Sequence, residues 1–305
     1  MELRQLKFMI LLSESLHFGR AARRAFVSQS TFSENIARLE QEVGAHLFDR
    51  ASNRVALTKA GEHFLESATR MIDDWARMTS EVQDLERQAN GTLRIGVFAD
   101  NAGEMTHLLL DDYRQRCPEV DLTFVTMDMS NQVDKVINGD VDVAFLRLPV
   151  ADGGLVVRRL FAEPRTAILP IGHPLARLRS ITIEELVDEP FVTAVSDAPR
   201  GWGEFWRCDS VRGAPAQIIA EMNSVAEGLN AVAYLGAVDT CPAATARHHP
   251  HPGVAYVPIE DGQHSEAAVV HRRDDDRPQV RTFTTLADDA LRSWLNAVPG
   301  AKMVS

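Results

Sequence analysis

Gln29, Ser30, Ser33 and Glu34 are polar residues in a run whose apolar members, Phe32, Ile36 and Leu39, recur at i, i+4 and i+7. That spacing puts the four on the exposed start of an amphipathic helix, where side chains can reach base edges in a DNA major groove. Gln29 can meet adenine with a paired donor and acceptor, Asn35 can do the same if the helix is rotated slightly, and Glu34 can accept from cytosine N4. Ser28 suits the N-cap of that helix better than base reading. Arg38, Arg50, Arg54 and Lys59 are the cations for phosphates, with Arg50 and Arg54 beside a turn from which a minor groove is within reach. The competing reading of these charges is ordinary solvation.

A second set of residues follows strand-like runs. Asp100 and Asn101 come after LRIGVF, Met129 and Ser130 after VDLTFVTM, and Arg147 after VDVAFL. Ser196 and Asp197 follow PFVTAV, and Asn223 and Ser224 follow AQIIAEM. Strand ends and helix starts at the mouth of an α/β sheet are where small molecules are held. Ser130 can cap the helix behind it, and Trp202 offers a flat wall. Arg147 ends a buried apolar strand, and its planar fork matches a carboxylate, so it points to an anionic ligand. The alternative is a protein partner for Arg147, such as Asp100 or Asp197. Asp100 also leaves a cationic or neutral ligand open.

The elements that must carry these residues can be read from periodicity. Leu3, Leu6, Met9 and Ile10 predict a first helix, Gly19 to Ala25 a second, and the run from Ser28 to Gly44 a third, which together make a helix-turn-helix. LFDRASNRVALT predicts two short strands about a turn at 51–53, a wing. From Thr58, a second capping residue, to Gln88 no proline interrupts the chain. Phe64, Ala68, Met71, Trp75, Met78, Val82 and Leu85 repeat at 4, 3, 4, 3, 4, 3, the stripe of a helix that pairs with another. Leu65 and Ile72 widen it. Asn90-Gly91 is a turn and a hinge. Beyond it strands and helices alternate, which predicts α/β units with a mostly parallel sheet.

The 305 residues, 45% of them hydrophobic, suffice for about two domains. No apolar run is long enough for a membrane span, no cleavable leader is visible, and Cys117, Cys208 and Cys241 are too few and scattered for a disulfide framework, so the chain is expected in the cytoplasm. The net charge of −11 divides unevenly: residues 1–60 carry +3, 61–90 carry −4 and the remainder −10. Only the segment with the helix-turn-helix is basic, as phosphate contacts require. His248, His249 and His251 fit no familiar zinc spacing, and G-x-S-x-G, P-loop and G-x-G-x-x-G motifs are absent. No catalytic residue, metal or cofactor is therefore expected.

From LRQLKFMILLSESLHFGRAARRAFVSQSTFSENIARLEQEVGAHLFDRASNRVALTKAGEHFL at the start, through GTLRIGV, GDVDVAFLR, GHPLA and ITIEELVDEPFV to SVAEGLNAVAYLGAVDTCPA, the chain resembles the LysR-type transcriptional regulators. The resemblance implies an α/β protein: a winged helix-turn-helix (1–58), a dimerising linker helix (59–90) and an effector domain like a periplasmic binding protein (91–305). Its first lobe is expected at 91–163 and 267–297 and its second at 164–266. It further implies promoter DNA as partner, a small-molecule effector between the lobes, homodimers through the linker, homotetramers, and contact with RNA polymerase. Arg147 resembles the branch that responds to aromatic acids. Ser30 stands where the family usually has proline, and Glu34 where a basic residue is frequent, so operator sequence does not carry over. Redox sensing of the peroxide-responsive kind lacks the upstream cysteine, and a solute-binding protein would not need the basic N-terminal helices.

Overall fold

The hydroxyl of Ser28 accepts from the N–H of Thr31 at 3.1 Å, and Gly44 turns the chain at φ 74°, so both ends of the third helix carry the residues their backbone requires. A computed structural model describes residues 2–49, 55–99, 102–150, 153–199, 201–212 and 215–304. The chain forms two units, Met1–Gln83 and Asp84–Ser305. In the first, α1 (Leu3–Ser15), α2 (Phe18–Arg24) and α3 (Gln29–Val43) enclose a core of Leu6, Met9, Leu12, Phe32, Ile36 and Leu39. Phe8 and Phe32 stack with ring centroids 4.6 Å apart.

Strands β1 (Phe48–Asp49) and β2 (Ala56–Leu57) pair antiparallel as the base of the wing. The buried carboxylate of Glu40 holds that base, accepting from the N–H groups of Leu47 at 2.8 Å and Phe48 at 3.1 Å. Thr58 caps α4 (Lys59–Asn90) by accepting from the Gly61 N–H at 2.9 Å. A Cβ at Gly61 would lie 2.0 Å from the Leu47 carbonyl, so only glycine lets α4 pass the wing so closely. Phe64, Leu65, Ala68 and Ile72 pack on the core of this unit, whereas Met71, Trp75, Met78, Val82 and Leu85 are exposed. The apolar stripe is thus divided between two faces.

Within the second unit the chain leaves α4 at Gly91, φ 60°, and runs through β3 (Thr92–Val97), α5 (Met105–Arg116), β4 (Asp121–Thr126), α6 (Asp134–Ile137), β5 (Val143–Arg147) and β6 (Leu155–Glu163). β7 (Arg165–Pro170), β8 (Phe191–Ala194), α7 (Trp202–Trp206), β9 (Ile218–Met222), α8 (Val225–Leu235), β10 (Asp239–Pro242), α9 (Ala243–His248) and β11 (Val254–Pro258) follow. β12 (Ser265–Arg272) and α10 (Pro278–Trp294) end the succession. Strand order in the first lobe is β4-β3-β5-β12-β6. In the second lobe β7 lies between β10 and β11, and β8 pairs with β9.

The expected mostly parallel sheet is only half of what is found. β4, β3 and β5 are parallel, but β12 runs antiparallel to β5 and β6, and β7 is antiparallel to both neighbours. β12 enters the first sheet on the chain's return from the second lobe, and a returning strand meets its neighbours head to tail. α6 is a single turn, Asp134–Ile137.

A buried ion network ties the first sheet to α10. Asp142 accepts from the Arg94 N–H at 2.6 Å and from Arg277 at 2.7 Å, and Arg277 also grips Asp275 at 2.7 and 2.8 Å. Among the described residues no helix is long and apolar enough to cross a membrane.

Candidate functional site

Two places gather the predicted residues. On α3, Gln29, Ser30 and Glu34 are exposed and Ser33 is half-buried, so the polar face lies where the periodicity put it. Ser30 Oγ sits 2.8 Å from Ser28 Oγ, so this hydroxyl is shared with the cap. Asn35 donates to the Thr31 carbonyl of its own helix at 2.8 Å, which occupies the amide that base reading would use. Arg38 is exposed and pairs with Glu42 at 3.2 Å, an interaction weak enough in water to be exchanged for a phosphate. Arg50 and Arg54 lie outside the described residues.

Phe26, in the turn between α2 and α3, was missed by the sequence reading. It is 95% exposed and holds φ 54°, a conformation costly for an aromatic residue. No periodicity marks it, because it belongs to neither helix.

Within the second unit a narrow cleft opens between the lobes, with free space of about 40 Å³. Phe98, Ala99, Met129 and Arg147 line it from the first lobe. Ile168, Trp202, Trp206, Met222, Leu229 and Asp239 are among the residues facing them from the second. Strand ends and the segments after them supply the first group and β7, α7, β9, α8 and β10 the second, as expected of a ligand cleft in an α/β pair.

Arg147 reaches this cleft, but not as a cation awaiting a ligand. It is 2% exposed, its Nη1 lies 2.6 Å from Glu163 Oε1, and its guanidinium sits over the Phe161 ring at 5.8 Å. A charge buried this deeply is tolerable only when paired, and the last residue of β6 pairs it. A protein carboxylate, the alternative partner weighed for Arg147, is thus present in Glu163.

The remaining effector candidates divide. Ser130 and Asn223 bind each other across the lobes, the Asn223 side-chain oxygen accepting from the Ser130 N–H at 2.9 Å, and Met129 N–H donates to the Asn223 carbonyl at 3.1 Å. They form a latch beside the cleft rather than its lining. Asp128, not Ser130, caps the following turn, accepting from the N–H groups of Ser130 and Asn131 at 3.0 Å each. Ser196 and Asp197 are exposed, bonded to each other at 3.3 Å, and absent from the cleft wall. Asp100 and Asn101 lie outside the described residues. Trp202 lines the cleft, and its indole N–H donates to the Arg147 carbonyl at 3.1 Å.

Trp206 and Asp239 were not foreseen. Burial pushes the Asp239 carboxyl up to about 7, against the opposing pull of the Thr240 N–H and the Arg165 guanidinium. Its signal in the sequence was a carboxylate inside the apolar run GAVDTC, a position where an acid needs a reason. Burial likewise raises the Cys208 thiol, although Arg165 lies 3.1 Å from its sulfur. Among the described residues no group of three or more His, Cys, Asp or Glu is arranged to hold a metal ion.

Comparison with known proteins assigns both regions. Residues 3–62 match the bacterial regulatory helix-turn-helix protein model of the lysR family, and residues 86–292 match the LysR substrate binding domain. The HTH-type transcriptional regulator AlsR of Bacillus subtilis is 29% identical over 94% of this chain and 96% of its own length. The Hca operon transcriptional activator HcaR of Escherichia coli is 32% identical over 63% of this chain and 65% of its own length. Among solved structures, full-length BenM covers 97% of each chain with a TM-score of 0.55 at 23% identity. CbnR complexed with its target DNA covers 95% of this chain and all of its own, with a TM-score of 0.51 at 21% identity. The chain belongs to the LysR family of transcriptional regulators, non-enzymatic proteins that join a DNA-binding helix-turn-helix to an effector-binding domain.

Proposed function

We propose that this regulator reads promoter DNA with the start of α3, senses a small molecule in the inter-lobe cleft, and works as an oligomer built on α4. The observation that carries the reading is the cleft itself, an apolar recess between two lobes joined to the linker helix by Gly91. Gln29 and Ser33 are the base-reading candidates, while Arg38 and the wing arginines Arg50 and Arg54 meet the backbone. The exposed stripe Met71, Trp75, Met78, Val82 and Leu85 fits a second copy of the same helix, and dimers of dimers would hold two sites on one promoter. RNA polymerase is then the downstream partner, in the cytoplasm where the promoter is.

The expected effector was a carboxylate of the aromatic-acid kind. Phe98, Trp202 and Trp206 support the aromatic half of that expectation. The Arg147–Glu163 pair does not support the acid half, because the cation is already met.

Ligand in the cleft would bias the Ser130–Asn223 latch and, through Gly91, the spacing of DNA-binding units. Bending a promoter costs on the order of 1–6 kcal/mol, which ligand binding can shift. Footprints on the protein's own upstream region, with and without ligand, are expected to differ in extent and bend. Identical footprints exclude this mechanism.

A further inference from the structure

Among the described residues of the cleft wall, Trp206 holds a buried polar atom that the protein leaves without a hydrogen bond. Trp206 is 4% exposed and forms part of the wall, yet its indole N–H has no hydrogen-bond partner among the described residues. The neighbouring Trp202 shows the contrast, since its N–H is taken by the Arg147 carbonyl. A buried donor without an acceptor is costly, and a ligand oxygen would supply one.

The guanidinium on the cleft wall, by contrast, is neutralised within the protein. Arg147 faces Glu163 at 2.6 Å. Behind the wall, Arg165 donates to the Trp206 carbonyl at 2.9 Å and to the Thr240 hydroxyl, and lies over the Phe205 ring at 4.5 Å. Asp239 accepts from the Thr240 N–H at 2.8 Å, and its second oxygen has no hydrogen bond among the described residues. Its carboxyl holds a proton up to about pH 7, so near neutrality it offers neither a full charge nor a strict acceptor. A carboxylate ligand would meet no unpaired cation on the described wall. An ammonium ligand would require Asp239 to ionise while buried.

We propose that the cleft selects an uncharged, ring-bearing molecule that offers a carbonyl or similar acceptor to the indole N–H of Trp206 and meets Asp239 by a hydrogen bond, not an ion pair. Phe98, Met129, Trp202, Met222 and Leu229 are the apolar side chains that would hold the ring, and they must part to admit it, since the free space between them is about 40 Å³. This rests on the cleft being the effector site and names the chemistry that site takes.

The test uses the full chain at about pH 6, where Asp239 keeps its proton, and three matched probes, benzamide, benzoate and benzylamine, titrated calorimetrically up to millimolar concentration. Benzamide is expected to bind at least tenfold tighter than either charged probe. Trp206→Phe keeps the ring, removes the N–H, and is expected to weaken benzamide about three- to tenfold. Asp239→Asn is expected to leave it within about threefold, whereas a larger loss means that the acid itself is required and overturns the proposal. Tighter binding of benzoate or benzylamine overturns it, as does an unaffected Trp206→Phe or the absence of binding by all three. Val225→Trp, which fills the cleft from a half-buried position of its wall, separates the two levels. Benzamide binding that survives Val225→Trp removes the effector site from the cleft. Binding lost in Val225→Trp with a charged probe preferred removes only the present inference.

Discussion

At the start of α3, Gln29 and Glu34 stand in solvent with polar atoms ready for a partner, while on the wall of the inter-lobe cleft Arg147 is buried and matched by Glu163 inside the protein. The difference follows from what each surface must recognise. DNA is a polyanion whose base edges are reached through water, so exposed groups exchange solvent for phosphate or base at modest cost. A small molecule in a dry recess exchanges water for protein, and any unpaired charge there would destabilise the empty form. One region therefore keeps its polar groups open, and the other keeps nearly all of them closed.

The strongest way to break this comparison is to open a closed pair. Glu163→Ala leaves Arg147 buried without its carboxylate and strips the cap from α9, whose Ala244 N–H donates to Glu163 at 2.8 Å. A loss of about 3–5 kcal/mol in urea unfolding is expected for removing one member of a buried pair. A loss below about 1 kcal/mol would mean that the cleft tolerates free charge after all. Glu163→Gln sharpens the same point: it releases Arg147 at nearly constant volume, and benzoate affinity should rise if pairing is what withholds that cation.

Burial of Asp239 gives the next effect, and its sign is fixed by linkage. The folded protein keeps the Asp239 proton to about pH 7, whereas the unfolded chain releases it near 3.8. Relative to Asp239→Asn, the wild type is thus favoured in acid and loses that advantage as pH rises through this window, on the order of 1 kcal/mol per pH unit. Urea midpoints of the two proteins between about pH 4 and 8 check this. A difference independent of pH would place Asp239 in contact with water.

The two regions also differ in how far the sequence foretold them. In α3 each position depends on neighbours three and four residues away, so Phe32, Ile36 and Leu39 locate Gln29 and Ser33 without further knowledge. Ser28, Gly44 and Thr58 were legible for the same reason, since caps are local chemistry. The cleft depends on partners far apart in sequence. Arg147 could be placed at the mouth of a sheet, but the residue opposite it belongs to β6, and neither spacing nor composition distinguishes Glu163 from Asp100 or Asp197. Ser130 and Asn223 come from different lobes, and their mutual hydrogen bond could not be read from either strand end. Glu40 shows that the limit is nonlocality rather than burial, because it lies on the legible helix yet clamps a wing base outside it.

On the open surface, Gln29→Ala is expected to cost about 1–3 kcal/mol at the operator while leaving non-operator DNA nearly unchanged. Binding titrations on both DNAs measure it. Equal weakening on both would make Gln29 a backbone contact and shift base reading toward Ser33 and Glu34.

Arg38→Ala carries the smallest effect and separates the regions most cleanly. Its pair with Glu42 is exposed, so folding stability should change by no more than about 0.5 kcal/mol, in contrast to the buried Arg147 pair. If its charge is exchanged for a phosphate in the complex, affinity falls alike for all sequences, and the slope of log K against log salt decreases by about 1. Titrations at several salt concentrations read that slope directly. An unchanged slope would leave Arg38 a solvated charge, and the open face of α3 would then rely on the wing and the helix start for its grip on the backbone.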